Sequence, residues 1–149
     1  MTETPLVDRL AGHRTLAGVP REQLAWLISH GRLRQFETGE LIAPTLGKLD
    51  ALYILLQGHL SIRVNRGAGP RRVMDWHGGD ITGLLPYSRL QASPGQLVAE
   101  EPTEAVVVHR DEFPKMVTAC HELTSVLVHV MVDRARHFTS SDFHDEKML

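Results

Sequence analysis

The sequence predicts a mainly β domain, a small jelly roll or barrel of short antiparallel strands with helices at both ends. Between Arg32 and His109 the apolar runs are short, β-rich and separated by Gly, Pro, Asn and Asp, which is typical of strands joined by tight turns. On both sides of this segment, apolar residues recur at the spacing of one helix face. The 149 residues, 42% of them hydrophobic, suffice for one domain with its own core.

One or two helices precede the strands. A helical pattern runs from about Leu6 to Leu16. A second and clearer pattern begins with Pro20 in its first turn, places Leu24, Leu27 and Ile28 on one stripe, and ends at Gly31.

Seven strands are readable from β-branched and aliphatic runs. A hairpin turn is expected at residues 65–69, where Asn and Gly tolerate positive φ, and a second tight turn at residues 57–58. The strands are predicted near Leu33–Phe36, Leu41–Ile42, Ala51–Leu56, His59–Asn65, Arg71–Trp76, Gln96–Glu100 and Glu104–Val108.

Two helices are predicted after the last strand. Asp111 is expected to cap the first, which contains Phe113, Met116 and Val117. The second runs from about Glu122 to Phe138. Its apolar stripe serves either as a homodimer surface or as the face that packs on the roll, and it consists of Leu123, Val126, Leu127, Val130 and Met131.

The glycine positions carry a resemblance to a known family. Three stretches, 36–42, 47–60 and 78–83, place glycines at strand boundaries between short apolar runs. This layout resembles the cyclic-nucleotide-binding domain, the effector module of the catabolite-activator family and of cyclic-nucleotide-regulated kinases and channels. The resemblance implies a β-roll of about eight strands flanked by N-terminal helices and two C-terminal helices, with residues 1–138 as the domain.

The family binds its ligand at a phosphate-binding cassette, a short helix and turn with a Gly-Asp pair, a further Gly, a Glu and an Arg. The Arg fork and helix N–H groups bind the cyclic phosphate, and the Glu accepts from the ribose hydroxyl. Gly79, Asp80 and Gly83 match the opening of this pattern, but Leu84 stands at the Glu position and Ser93 near the Arg position. The resemblance therefore implies a degenerate nucleotide site.

Eight residues form the candidate pocket. Arg89, four residues before Ser93, either replaces the missing arginine or is a solvated surface residue. Leu84 and Leu85 are either pocket or core residues, and the polar members are either ligand contacts or ordinary loop residues. The candidate set is Thr82, Gly83, Leu84, Leu85, Tyr87, Ser88, Arg89 and Ser93.

Other functional classes find little support in the sequence. The net charge of −2 leaves no footprint for nucleic acid, and residues 139–149 are too few for a DNA-binding helix-turn-helix. The nine histidines lack the close pairs of a metal site, and no catalytic motif surrounds Cys120, the single cysteine. No signal peptide or membrane span is predicted, and we expect a cytoplasmic, non-catalytic domain.

The C-terminal segment resembles the connector of bacterial sensor histidine kinases that carry an N-terminal domain of this type. Residues 139–149 would begin a helical connector to a downstream kinase domain. Three hypotheses follow: a cAMP or cGMP receptor that uses Arg89, a receptor for another small effector that depends less on phosphate, and a ligand-free structural or dimerisation module.

Overall fold

The computed structural model describes residues 4–65 and 67–140, the last four as backbone alone. Four helices are α1 (Leu6–Ala11), α2 (Arg21–His30), α3 (Phe113–Ala119) and α4 (His121–Ser140), and a 3-10 turn covers Arg110–Glu112. Eight strands are β1 (Arg32–Phe36), β2 (Leu41–Ala43), β3 (Ala51–Gln57), β4 (His59–Asn65), β5 (Pro70–His77), β6 (Ile81–Gly83), β7 (Gln96–Ala99) and β8 (Thr103–His109).

The strands form two four-stranded antiparallel sheets. The first sheet has the order β1-β8-β3-β6 and the second the order β2-β7-β4-β5. Neighbours in each sheet are mostly distant in sequence, as in a jelly roll. The predicted mainly β roll with flanking helices is confirmed.

Two hydrophobic layers hold the fold together. One lies between the first sheet and the helices, and the other lies between the two sheets. Strand β3 serves both layers because alternate side chains point to opposite faces: Leu52 and Ile54 pack towards the helices, and Tyr53 and Leu55 towards the second sheet. This explains the continuous apolar run in β3, which is buried on both faces.

The turn at Gly58 differs from the prediction. Strands β3 and β4 do not pair with each other, since β3 belongs to the first sheet and β4 to the second. Gly58 is therefore the point where the chain crosses between sheets. Its φ is +105°, and a Cβ there would lie 2.5 Å from Thr103 Cα, so only glycine fits. The predicted hairpin at residues 65–69 does form, between β4 and β5.

The predicted helix cap at Asp111 is not found in the structure. Asp111 lies within the 3-10 turn and does not cap α3. His109 caps the 3-10 turn, where its Nδ1 accepts a hydrogen bond from the Asp111 N–H at 3.1 Å, and α3 begins after Glu112 without a side-chain cap. The imidazole acts here as the acceptor that Ser or Asp usually supplies.

The apolar stripe of α4 packs on the domain's own core. Leu123 and Leu127 are fully buried, and Val126, Val130 and Met131 are partly buried against the same layer. Helix α4 reaches Ser140, and the rest of the predicted connector, 141–149, lies outside the described residues.

Strand β6 is the element that sequence reasoning missed. Its three residues pair with β3, with Thr82 opposite Tyr53 and Gly83 opposite Leu52. The sequence pattern at this point indicates only the start of a binding loop. No helix in the described part of the chain is long and apolar enough to span a membrane.

Candidate functional site

The loop between β6 and β7, residues 84–95, contains turns and no helix. It leaves β6 at Gly83, whose φ is +91° and where a Cβ would lie 2.5 Å from the Ala51 carbonyl oxygen. The Leu84 N–H then donates to that same oxygen at 2.8 Å. Gly83 is thus required by both its backbone conformation and the close approach of β3. The short helix that the family's cassette contains is absent from this segment.

The end of the loop is held by a short ladder with the segment before β3. The Leu46 N–H donates to the Ser93 carbonyl at 2.8 Å, and the Ser93 N–H donates to the Gly47 carbonyl at 2.9 Å. A third bond joins the Leu49 N–H to the Gln91 carbonyl at 2.9 Å. These bonds fix Ser93 at the edge of the core between the sheets.

A small cavity, which we term the inner cavity, lies between this loop and the second sheet. Its volume is about 20 Å³, enough for one water molecule and far below the ~300 Å³ or more of typical ligand pockets. Its apolar wall consists of Leu49, Ile62, Trp76, Leu90, Pro94 and Leu97.

Three polar side chains complete the inner cavity: Thr82, Ser93 and Arg134. The Ser93 hydroxyl donates to the Gly95 carbonyl at 2.6 Å. Thr82 comes from β6 and Arg134 from the second half of α4, so the cavity joins the roll to the C-terminal helix. Among the described residues, Arg134 is the only charged one in this lining, and no carboxylate contributes.

Arg134 is the unexpected feature of the site. Its Nη1 donates to the Gly83 carbonyl at 2.6 Å and its Nη2 to the Ser88 hydroxyl at 3.3 Å. Burial lowers the pKa of this guanidinium to about 10, because the charged form loses solvation. Among the ion pairs formed by described residues, none involves Arg134. A guanidinium whose hydrogen-bond acceptors are neutral, beside hydroxyl groups, is chemically suited to an anion.

A larger and more open groove lies on the other side of Arg134. This outer groove has a volume of about 500 Å³. Trp76 and Arg134 line both it and the inner cavity, so they form the partition between the two spaces. Three carboxylates, Asp75, Asp80 and Asp133, line the outer groove.

The eight predicted site residues divide into four groups. Thr82, Gly83 and Ser93 line the inner cavity. Leu84 and Leu85 are buried in the two hydrophobic layers, and Ser88 contacts Arg134.

The remaining two predicted residues, Tyr87 and Arg89, are exposed. The Tyr87 side chain is 70% exposed, and its backbone has a φ of +68°, an uncommon conformation for a bulky residue. Neither residue lines the inner cavity in this conformation.

Glu100, which would repel an anion if it faced the cavity, is held elsewhere. Its carboxylate accepts from Arg63 Nε at 2.8 Å, and from Arg63 Nη2 and the Ser61 hydroxyl. The Arg63 and Ser61 hydrogen bonds lower the pKa of Glu100 to about 2. Its charge is therefore matched outside the inner cavity.

Sequence reasoning missed Arg134, although one signal was available. Residues 123, 127, 130 and 134 follow the spacing of a single helix face, and the first three belong to the buried stripe of α4. A charged residue that continues a buried stripe is a candidate for a buried polar contact. Its partners, Gly83 and Ser88, are 51 and 46 residues away and leave no local pattern.

The histidines and the cysteine show other roles. His59 and His77 stack with ring centroids 4.2 Å apart, and His13 is buried. Within the described residues, no three His, Cys, Asp or Glu side chains are grouped to hold a metal ion. Cys120 is buried between α3 and α4, and burial raises the pKa of its thiol, which disfavours the reactive thiolate.

Comparison with known proteins identifies the fold. No protein-family model matches the chain, and no curated protein matches it. Several solved structures match the chain over most of its length. The regulatory domain of Toxoplasma gondii PKA with cAMP is 17% identical with a TM-score of 0.71, over 88% of this chain and 49% of that one.

Two further structures agree. A cyclic nucleotide-binding domain from Methylobacillus flagellatus KT is 16% identical with a TM-score of 0.70, over 91% of this chain and 79% of that one. The regulatory subunit of a cAMP-independent protein kinase A from Trypanosoma cruzi bound to guanosine is 18% identical with a TM-score of 0.67. The match covers 94% of this chain and 46% of that one.

These likenesses confirm the resemblance at the level of the fold: the chain has the β-roll of cyclic-nucleotide-binding domains. It spans about half the length of the Toxoplasma and Trypanosoma proteins. Those two proteins are described as a regulatory domain and a regulatory subunit.

Proposed function

We propose that this chain is a regulatory domain in signal transduction, and that it receives a small effector in an opened form of the inner cavity. The observation that supports this most directly is the lining of that cavity. Thr82, Ser93 and Arg134, whose two hydrogen-bond acceptors are neutral, meet there at the edge of an apolar core, beside the loop that corresponds to the family's cassette. Such a combination of apolar walls and few convergent polar groups is typical of ligand sites.

The effector class is a cyclic nucleotide, cAMP or cGMP, or another small molecule. The site lacks the cassette's Glu and Arg, because Leu84 and Ser93 take those positions. This favours an effector that depends less on the loop for phosphate binding. Among the structural neighbours, one is bound to cAMP and one to guanosine, a nucleoside without phosphate. Cyclic nucleotides and nucleosides are therefore both suitable probes for binding to this chain.

The parent protein in this proposal is a cytoplasmic sensor histidine kinase. Helix α4 would lead into a connector and the kinase domain, and an effector would shift the balance between two positions of α4. A homodimer would form through the exposed face of α4, which includes Val132. Phosphorylation of the full gene product by ATP, measured with and without effector, tests this part. No phosphohistidine in the full product would contradict it.

Two alternatives remain with specific support. Arg89 would serve a cAMP or cGMP receptor if the loop rearranged on binding. A ligand-free structural or dimerisation module is favoured by the volume of the inner cavity, about 20 Å³, which leaves no space for a nucleotide in this conformation.

Thermal denaturation with increasing ligand separates these alternatives. At about 100 times its dissociation constant, a ligand that binds only the native state adds about 2.7 kcal/mol to the free energy of unfolding. We expect a saturable rise in melting temperature with cAMP, cGMP or guanosine, confirmed by calorimetry. If none of the three has an effect at millimolar concentration, the ligand-free module becomes the preferred function.

A further inference from the structure

We propose that Arg134 is the anion-binding side chain of this site, supplied by α4 instead of by the loop, and that the Gly83 carbonyl and the Ser88 hydroxyl hold it in the ligand-free state. This inference rests on the proposed function, since it names the contact that the effector would use. The effector would then be a small molecule that carries a phosphate or carboxylate group.

The position of the guanidinium supports this assignment. Within residues 4–65 and 67–140, Arg134 is the one cationic residue that lines the inner cavity, next to the hydroxyls of Thr82 and Ser93. Its two hydrogen-bond acceptors, at 2.6 Å and 3.3 Å, are a neutral carbonyl and a neutral hydroxyl. A charged acceptor forms the stronger hydrogen bonds with guanidinium, and a carboxylate or phosphate binds both of its edges together. An anion that enters the cavity would therefore displace Gly83 and Ser88 as the partners of Arg134.

The charged residues around Arg134 determine whether the anion binds in the inner cavity or in the outer groove. In the outer groove, Asp75 is ion-paired with Arg72 and Asp80 with Arg14. Asp133 forms no ion pair with another described residue, and its carboxylate would repel an anion there. No carboxylate of the residues that the structure describes lines the inner cavity. The anionic group therefore binds on the inner side, and the uncharged part of the effector lies against the apolar wall that includes Ile62 and Leu97.

Binding at Arg134 would move α4, because the inner cavity is too small for an effector of this kind. The first half of α4 is fixed by the fully buried Leu123 and Leu127. In the second half, the hydrogen bonds of Arg134 attach the helix to the β6–β7 loop. Release of these bonds would free the last described turns of α4, residues 130–140, and opening the partition formed by Trp76 and Arg134 would enlarge the cavity towards the outer groove.

The test is calorimetry of the 149-residue chain with cAMP, cGMP and guanosine. Arg134→Gln removes the charge but keeps an amide donor, Arg134→Lys keeps the charge, and Arg32→Gln is a matched control at an exposed position of β1. We expect Arg134→Gln to weaken cyclic-nucleotide binding about 10- to 100-fold, with partial recovery in Arg134→Lys, and no change in Arg32→Gln. Guanosine binding should change little, because guanosine has no anionic group.

A second variant acts in the opposite direction. Ser88→Ala removes one acceptor that competes with the anion, so cyclic-nucleotide affinity should rise about two- to tenfold. Hydrogen exchange of the backbone amides in residues 130–140 should accelerate on addition of saturating cyclic nucleotide, as expected for release of this end of α4.

The outcomes separate the two proposals. Cyclic-nucleotide binding that is unchanged in Arg134→Gln, or that is lost in Arg89→Gln instead, overturns the role of Arg134 and leaves the effector function intact. Binding of guanosine without any binding of cyclic nucleotide also overturns the role of Arg134 and leaves the effector function intact. Failure of all three probes to bind overturns both proposals.

Discussion

The side-chain amide oxygen of Gln23, on α2, accepts a hydrogen bond from the backbone N–H of Leu123, in the first turn of α4, at 2.9 Å. The amide nitrogen of Gln23 donates to Glu122 Oε1 at 2.6 Å. The first N–H groups of a helix have no partner within it, and the structure satisfies one of them from a helix 100 residues away. Gln23 thus joins the N-terminal and C-terminal helices above the first sheet.

Replacement of Gln23 tests this cap. We expect Gln23→Leu, which has a similar volume, to lower the free energy of unfolding by about 1–2 kcal/mol, because the buried Leu123 N–H loses its acceptor. Urea denaturation at neutral pH measures the change. The adjacent exposed variant Glu22→Ala should stay within about 0.5 kcal/mol of the parent. Equal stability of Gln23→Leu and the parent would show that water replaces the cap.

A second prediction concerns acid stability through His13. The neutral ring accepts from the Thr15 N–H at its Nδ1 and donates from Nε2 to the Leu55 carbonyl at 2.9 Å. Burial is the main cause that lowers the pKa of His13 below 6.5. A protonated ring would place a second N–H against the Thr15 N–H. The unfolded state therefore takes up the proton first, and stability that is complete above pH 6.5 declines below it.

The variant His13→Asn should lose this dependence. Between about pH 5 and pH 8, the free energy of unfolding of the parent should fall with acidity more steeply than that of His13→Asn. The exposed His129→Asn serves as the matched control and should retain the slope of the parent. Identical slopes for the parent and His13→Asn would mean that His13 does not contribute.

The Glu100 carboxylate gives a prediction at lower pH. Its pKa is lowered from 4.5 to about 2, so its contribution to stability is present above pH 4.5 and is lost as the pH falls towards 2. Because the Arg63 side chain is 40% exposed, solvent screens the pair and we expect Glu100→Gln to cost roughly 1 kcal/mol at neutral pH. The difference between Glu100→Gln and the parent should disappear near about pH 2. A constant difference over that range would contradict the assignment.

These contacts show what the sequence alone can and cannot predict. The short apolar runs, such as the continuous run of β3, and the glycines at strand boundaries are local signals, and they predicted the roll and seven of its strands. Strand β6 consists of Ile81, Thr82 and Gly83, so it contains no apolar pair of the kind that marks the equally short β2. The stack of His59 on His77 depends on the register of β4 and β5.

The site was harder to predict than the fold for the same physical reason. Arg134 reaches the roll only because the stripe of α4 packs on the first sheet, and that orientation is a tertiary property. The family's cassette directed attention to Arg89, which is exposed in the structure. Local resemblance therefore located the loop, and three-dimensional packing supplied the guanidinium beside it.

The last prediction uses Tyr87, whose backbone has a φ of +68° and whose side chain is 70% exposed. The left-handed conformation costs a residue with a side chain roughly 1–2 kcal/mol, and few contacts offset this cost. Glycine removes the strain but adds about 0.5–1 kcal/mol of entropy to the unfolded chain. We therefore expect Tyr87→Gly to raise the free energy of unfolding by about 0.5 kcal/mol.

Backbone strain at an exposed residue often marks a functional site. We therefore infer that Tyr87 contacts the effector when the inner cavity is open. Tyr87→Gly should then bind cyclic nucleotide or guanosine several-fold more weakly, by roughly the 1 kcal/mol or more that one aromatic contact contributes, while its melting temperature rises. Thermal denaturation and calorimetry on the same sample measure both effects. Tyr87→Phe is the control, since it keeps the ring and the strain and should match the parent in both measurements. Weaker binding together with lower stability would indicate a structural role for Tyr87 instead.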